Sequence, residues 1–593
     1  MNEKVSKEEL AQTVWSDYEK GLMYQKTLAL KETCERNVDF VEGRQWANAT
    51  ERTKNFPRPV SNIIEFIVNN KKSNILSAKM KMLYSPLIHT PADAEKAIKG
   101  ANALTSFANN VSKEIDQESL DNLAIRDGLV KGMYAYHYFW DSEKKTGISR
   151  YTGGLNGQII DPLNIIFANP KEKDEQKQKW IILVSRETLK NVKSIAKKYG
   201  ATKAELELLK ADKDEEKNYQ AEEQDTDSYV TVLTRYFRKD GAVYYIKTTK
   251  DLVIQPETAL TPDASKVTLE LDGETGEIAD EEIKLGQADE PTTISDYKMD
   301  LYPIAVGDYK ERQGSIYGVS EVEPLIAIQK AINFNYAMML MSGQNIGFPK
   351  MVIRPKALQG QKVTNAPGEL LVDYSPDFNG IKYLQPPSFG SSTMMLVVKL
   401  IEMTRVFTGA TEIASGEVLG ANMSGSAIVA LQSQAKVPIE DMQKKFWRVH
   451  KKIAKIWEQF FKAYYTFDVD YMVEGENGKP EAVRFNGLEY RDMEFDTTID
   501  IGTGSAYSES MSIALLEASL SRGDITFDEF VELYPDNAMP FKARLKDIRK
   551  HKLLPPQISE QIASNPQLLQ YVMGIIQQAN TPAQPMVNES PMA

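Results

Sequence analysis

Between residues 318 and 465 the apolar positions fall at helical spacing in three long runs, separated by stretches rich in Gly and Pro. The first run, GVSEVEPLIAIQKAINFNYAMMLM, opens with Ser320 and Glu323 at capping-box spacing, where hydroxyl and carboxylate reciprocally satisfy free N–H groups. Pro324 falls in the first turn, where a missing donor costs little. This helix is predicted to reach Met341 and to stop at Gly343 and Gly347, a length of roughly 33 Å. The second run, SSTMMLVVKLIEMTRVFTG, has Ser391 or Ser392 as its cap and Gly409 as its stop. Met394, Met395, Leu396, Val397, Val398, Leu400, Ile401, Met403, Val406 and Phe407 cover almost its whole circumference. A helix apolar on all sides must be covered on all sides. A two-helix hairpin cannot do this alone, so neighbouring copies are the expected cover, with Leu396, Val397, Leu400, Val406 and Phe407 at the subunit contact. The third run begins near Ser424 or Ser426 and continues to Tyr465, with Pro438 as an expected kink. Beyond Pro438, residues Ile439, Met442, Phe446, Val449, Ile453, Ile456 and Phe460 make a heptad seam. Lys444, Lys445, Arg448, Lys451, Lys452 and Lys455 form a basic face, read as a solvated or subunit-facing stripe.

Around this centre the pattern changes period. Residues 7–135 are mostly helical; after FVEGRQW (40–46), Pro57-Arg58-Pro59 breaks the chain and Asn62 starts a helix with Ile63, Ile64, Ile67, Val68 and Ile75 near period 3.6. In SYVTVLTRYFRKDGAVYYIKT the period is 2, placing Val230, Val232, Thr234 and Tyr236 on one strand face, and Asp240-Gly241 signals a hairpin. Residues 210–227 form a charged connection, and 251–300 read as further hairpins or a surface insertion. Residues 467–503 are strand-like, and Thr526 with Glu529 forms a second capping box after Gly523, inside a helix, turn, helix unit over 508–535. The closing QQANTPAQPMVNESPMA has a composition that does not support a packed core. The fold class is α+β, mainly helical.

At 593 residues the chain exceeds what one core organises, so several domains or an elongated subunit are expected. A single cysteine, Cys34, excludes an intramolecular disulfide framework and fits a reducing cytoplasm. MNEKVSKEEL lacks an apolar leader core, and no apolar stretch approaches the roughly 20 residues that span a bilayer, so no membrane partner is expected. The net charge of −12 argues against a protein that coats nucleic acid. That charge is local: residues 251–300 hold 14 Asp and Glu against 3 Lys, and the rest of the chain is close to neutral.

The segment SGEVLGANMSGSAIVAL, residues 415–431, tests the chain for nucleotide chemistry. Gly420 and Gly425 have the interval of a phosphate loop, but Ser426-Ala427 stands where Lys-Ser/Thr is needed. No basic residue lies between Arg405 and Lys436. His89, His137, His450 and His551 lie far apart without metal-ligand spacing, and H-E-x-x-H, C-x-x-C and G-x-S-x-G are missing. Asp468/Asp470 and Asp280/Glu281/Glu282 could hold Mg²⁺ in a nuclease, but a solvated surface explains them more simply. The sequence therefore predicts no catalytic residue, no metal and no cofactor. A metal-dependent nuclease or packaging ATPase is the alternative from another class.

Helix, small Pro/Gly-rich β unit, helix, Gly/Ser loop, then a long kinked helix is an unusual order. It resembles the portal proteins of tailed double-stranded-DNA phages, in local sequence as well: FVEGRQW followed by Arg-Pro and Asn, ERQGSIYGVSEVEPLIAIQKAIN, and VFTGATEIASGEVLGANMSGSAI. The resemblance covers about residues 35–540 and implies a ring, generally of twelve subunits, at one capsid vertex. It implies a wing at 1–317 and 426–505, stem helices at 318–345 and 391–409, a clip at 346–390, a tunnel loop at 410–425 and a crown at 506–556. Residues 557–593 follow as a short helix and tail, leaving little room for a long internal barrel. Implied partners are double-stranded DNA, held transiently and without sequence preference, the terminase large subunit, the head-tail adaptor or tail proteins, and the major capsid and scaffolding proteins. The implied location is the virion, with assembly in the host cytoplasm. Ser415, Gly416, Gly420, Asn422, Ser424 and Gly425 would line the channel without gripping phosphates. Lys399 and Arg405 on the stem, and Lys350, Arg354, Lys356 and Lys362 in or near the clip, are candidates for weak phosphate or partner contacts.

Overall fold

The computed structural model describes residues 7–47, 56–77, 80–87, 94–145, 152–212, 228–261, 297–354, parts of 357–384, 390–409, 425–466, 468–474, 480–500, 506–534 and a few isolated positions. The chain begins α1 (Lys7–Thr27), α2 (Leu30–Val41), α3 (Ile63–Ile75), β1 (Lys81–Pro86), α4 (Ala94–Glu114), α5 (Gln117–Lys131). It continues β2 (Met133–Lys145), β3 (Thr152–Ile160), β4 (Ile165–Phe167), β5 (Trp180–Thr188), α6 (Leu189–Lys198), α7 (Lys203–Leu208), β6 (Tyr229–Lys239), β7 (Ala242–Thr248) and β8 (Val253–Ala259). Next come β9 (Ile304–Asp308), β10 (Lys310–Arg312), β11 (Ser315–Val319), α8 (Val322–Gly347), β12 (Lys350–Ile353), β13 (Ile381–Leu384), α9 (Ser391–Thr408) and α10 (Gly425–Tyr464). The last are β14 (Val469–Glu474), β15 (Pro480–Phe485), β16 (Phe495–Asp500), α11 (Ala506–Arg522) and α12 (Phe527–Leu533). The result is a mixed α+β chain.

Two compact units divide it. The larger, residues 1–471 and 482–502, holds an antiparallel sheet in the order β4-β5-β6-β7-β8. Its β6–β7 turn is Asp240-Gly241, and both residues have positive φ, 51° and 78°, which a two-residue hairpin with native twist requires. Both sheet faces are covered. Leu233, Ile246 and Val253 pack with Ala11 and Val14 of α1, while Val230, Val232 and Ile254 pack with Val192 and Ala196 of α6. Residues 262–296, most of the expected acidic insertion, lie outside the described residues.

A second sheet, β3-β2-β9, meets the heptad seam of α10. Phe446, Val449, Ile453, Ile456 and Phe460 are all buried. The seam is filled by this chain's own sheet and not by a coiled-coil partner: Trp457 lies edge-on to Tyr138 at 5.5 Å and Trp140 stacks on Tyr464 at 5.0 Å. α10 is 40 residues long and is assigned as continuous helix through Pro438, about 60 Å at 1.5 Å per residue.

Three predicted boundaries shift. α8 runs through Gly343 to Gly347 because neither glycine takes the left-handed backbone that ends a helix, and one Gly costs a helix only about 1 kcal/mol. Ser320 supplies half of the expected box, its hydroxyl accepting the Glu323 N–H at 3.0 Å. The cap of α9 is Gly390 without a side-chain bond, instead of a serine, whereas Gly409 ends that helix in the left-handed region at φ 71°.

In the smaller unit, residues 472–481 and 503–593, α11 and α12 are joined at Gly523, φ 79°. The predicted box is complete: the Thr526 hydroxyl accepts the Glu529 N–H at 3.3 Å, and the Glu529 carboxylate accepts the Thr526 N–H at 2.8 Å. The terminal segment from 546 onward lies outside the described residues.

Candidate functional site

The motifs FVEGRQW, Arg-Pro-Val-Ser-Asn and GVSEVEP, far apart in sequence, converge on the first turns of α8. Two polar residues interrupt the apolar face of this helix one turn apart, Gln329 and Asn333, and both are buried. The Asn333 carbonyl oxygen accepts the Ser61 N–H at 3.1 Å, and its amide donates to Gln45 Oε1 at 2.6 Å. Gln329 accepts the Ile63 N–H at 3.2 Å and donates to the Ser61 carbonyl. Gln45 in turn donates to Asn62, which caps α3 by accepting the Glu65 N–H at 3.3 Å, and Trp46 donates to the Pro59 carbonyl. The Pro-containing break thus places Ser61 and its free backbone groups against the helix. Sequence reasoning missed Gln329 and Asn333. The available signal was two amides at i and i+4 on an otherwise apolar stripe.

At the start of α8 an ion triad completes the junction, with Glu321 and Lys71 buried and Lys310 half-exposed. Glu321 accepts Lys71 at 2.6 Å on one oxygen and Lys310 at 2.6 Å on the other, and Lys71 also donates to the Tyr309 hydroxyl at 3.1 Å. Burial alone would raise the Glu321 carboxyl, but the two ammonium groups hold it below the usual carboxylate range. Burial pulls Lys71 below the ordinary lysine value against the opposing pull of Glu321. Gly132 and Gly318 close the junction: a Cβ on Gly318 would stand 2.2 Å from the Gly132 carbonyl, so no larger residue fits.

Beyond this junction α8 and α9 are bare. On α8, Phe334, Met338, Leu340, Met341 and Ile346 are exposed; on α9, Met394, Met395, Leu396, Val398, Met403, Val406 and Phe407 are exposed. The helix expected to be apolar all round is therefore two-sided. Val397, Thr404 and Thr408 are buried within the chain itself, and Leu400 is half-buried. This corrects the placement of Val397, which is only 2% exposed and packs inward. Leu396, Val406 (65% exposed) and Phe407 (73%) face out.

The basic candidates scatter. Lys399 is exposed and pairs with Glu402 at 3.6 Å. The Arg405 guanidinium lies over the ring of Phe66 in α3, 5.3 Å from its centroid. Lys350 opens β12 and is exposed; Arg354 follows that strand, its N–H donating to the Gly380 carbonyl at 2.8 Å. Antiparallel pairing of β12 with β13 makes the small β unit expected between the two helices. Lys356, Lys362, Ser415, Gly416, Gly420, Asn422 and Ser424 lie outside the described residues, and Gly425 opens α10. The basic face of α10, expected to be solvated or subunit-facing, is largely paired within the chain. Lys452 meets buried Glu175 at 2.8 Å, Lys451 meets Asp496 at 3.2 Å, and Lys445 lies 3.8 Å from both Asp308 and Glu311.

Titratable groups that could serve chemistry are tied into the packing. His450 Nδ1 donates to the Phe446 carbonyl at 3.1 Å, and Nε2 faces both oxygens of buried Asp121 at 3.1 and 3.2 Å. Burial opposes its charge, but Asp121 outweighs burial and raises the imidazole above its ordinary 6.5. His137 is the reverse: its Nδ1 accepts from Gln158 and Nε2 lies 2.9 Å from the Tyr236 hydroxyl, and burial lowers it to about 3. A cleft of about 1190 Å³ between α1, α2 and the first sheet contains Cys34 and Lys131. Lys131 bridges Asp127 at 3.1 Å and Asp161 at 2.6 Å, and burial pushes the Cys34 thiol up to about 12, which makes it a poor nucleophile. Asp468, half of one suggested metal pair, instead binds Arg484 at 3.2 Å and Asn486 at 2.8 Å. Among the described residues no three His, Cys, Asp or Glu side chains are placed to hold a metal, and no helix is long and apolar enough to cross a membrane.

These features define a chain of mixed α+β class in which α8 starts from a polar junction and α8 and α9 carry an exposed apolar surface. The family model described as phage P22-like portal protein matches residues 17–533, and the chain belongs to that family of structural proteins. No curated protein matches the chain.

Proposed function

We propose that this portal subunit assembles into a closed ring, generally of twelve copies, at one vertex of the capsid. The ring is the channel through which double-stranded DNA is packaged and later ejected. It is also the dock for the terminase large subunit and then for the adaptor or tail, and it contacts major capsid and scaffolding proteins during assembly in the host cytoplasm. In this reading the β12–β13 unit belongs to the clip, α8 and α9 to the stem, residues 410–425 to the tunnel loop, and α11 with α12 to the crown. Residues 1–317 and 426–505 make the wing.

The observation that carries the reading is the exposed apolar surface of α8 and α9 on a chain of the portal family. Burying a Leu, Met or Phe side chain contributes about 1.5–3 kcal/mol, so this surface favours association with a second copy. The loop composition supports a sliding function. Every phosphate that a channel neutralises adds a salt-dependent binding term, and residues 410–425, with no Lys or Arg and with Glu412 and Glu417, add none.

Electron microscopy and sedimentation of the purified protein test this. A ring with a central hole is expected, and a monomer or an open chain would refute the proposal. Val406→Asp combined with Phe407→Asp should leave a folded monomer, because each charge would be buried unpaired at the contact. Val397→Asp should instead unfold the α9 packing and lower the melting temperature of the subunit itself.

A further inference from the structure

α3 touches the helices on both sides of segment 410–424 as well as the first stem helix. At its start, Ser61 and Ile63 are bonded to α8. At its end, the Asn74 carbonyl accepts Gln443 of α10 at 2.8 Å. On its outer side the ring of Phe66, 41% exposed, carries the guanidinium of Arg405 from the last turn of α9. In that turn the hydroxyl of buried Thr408 donates to the Thr404 carbonyl at 2.8 Å and Gly409 ends the helix. Val406 and Phe407 point to the opposite, exposed side, and Arg405 reaches back across α3.

We propose that Arg405 is a positioning residue: stacked on Phe66, it fixes the end of α9 to α3 and so sets where the chain enters the channel loop, and it is not a phosphate contact. A planar guanidinium suits this role because it can lie flat on an aromatic ring while keeping its charge partly hydrated. The consequence for the loop rests on reading residues 410–425 as the channel lining. The placement of the helix end does not.

The test uses full-length Phe66→Leu, Arg405→Gln, the double variant and Phe66→Trp. Amide exchange of peptides over residues 402–409 should rise about two- to fivefold in either of the first two, the range a cation–π contact at an exposed site corresponds to. The double variant should exceed neither single one. Phe66→Trp should retain protection, since Trp is the better cation–π partner, and melting temperatures should stay unchanged because Phe66 and Arg405 are not in the core. Packaging and retention of DNA in particles should fall equally in Phe66→Leu and Arg405→Gln at all salt concentrations. If Arg405→Gln alone impairs packaging, with a defect that depends on salt while Phe66→Leu is silent in both assays, Arg405 is a phosphate contact and the inference fails. Unchanged exchange in all variants also overturns it. Raised exchange with normal packaging would uphold the positioning role and overturn the channel-loop reading.

Discussion

Two buried histidines are shifted in opposite directions, and their hydrogen-bond partners decide which way. His450 faces a carbonyl and a carboxylate, both acceptors, so both ring nitrogens donate and the imidazolium is favoured. His137 accepts from an amide and stays neutral. Because the folded-state value of His450 is raised, its contribution to stability is fully present below about pH 6.5 and is lost as pH rises through the folded value. His450→Gln should therefore cost about 3–5 kcal/mol at pH 6, the range for breaking a buried pair. Thermal melts from pH 5.5 to 9 should show the gap between wild type and variant narrowing as pH rises. A constant gap would mean that folding does not shift the His450 imidazole, and a gap that widens as pH rises would mean that it is neutral when folded.

At the scale of elements, α8 divides into a seated half and a bare half. The seated half is fixed by directional bonds: Asn333 serves Ser61 and Gln45, residues more than 270 positions away in the chain. Asn333→Leu keeps the volume approximately but leaves the Ser61 N–H and the Gln45 carbonyl oxygen unpaired. At about 1–3 kcal/mol for each stranded group, calorimetry should show a loss of about 2–6 kcal/mol. Asn333→Asp, which still accepts from Ser61, should recover part of it. α9 shows why a helical wheel was insufficient here. Its apolar residues surround the axis, and the sequence holds nothing that marks Val397 as inward and Leu396 as outward. The distinction exists only because α3 and α8 lie on one side.

For the whole molecule, the channel-loop proposal makes its own prediction. Removing residues 415–423 should leave rings intact by sedimentation, since α8 and α9 keep their exposed surfaces, while packaged DNA is incompletely loaded or lost from particles. Full genome content in particles carrying the deletion would remove the loop from the mechanism. Loss of the ring itself would show that the segment serves assembly.

The order α8, small β unit, α9, α10, the β6–β7 hairpin, the Thr526 box and the stop at Gly409 were legible in the sequence because each depends on patterns local to the chain. The portal resemblance was legible for a related reason: two of the quoted motifs, FVEGRQW with the following Arg-Pro and Asn and the segment leading into α8, hold residues that meet on α8, and their order survives even when no contact can be read. The boundary at Gly343 was misjudged because a glycine signals a stop only when its backbone turns left-handed, and neighbours decide that. The basic face of α10 looked free because its acidic partners, Glu175, Asp308, Glu311 and Asp496, come from three separate parts of the chain. The sequence by itself determined which segments are helices and strands and that one helix carries more apolar surface than it can hide. Only the tertiary structure decided which face each residue takes and which charges are paired, because burial and ion pairing depend on what lies across the space between elements, and periodicity along the chain carries no such information.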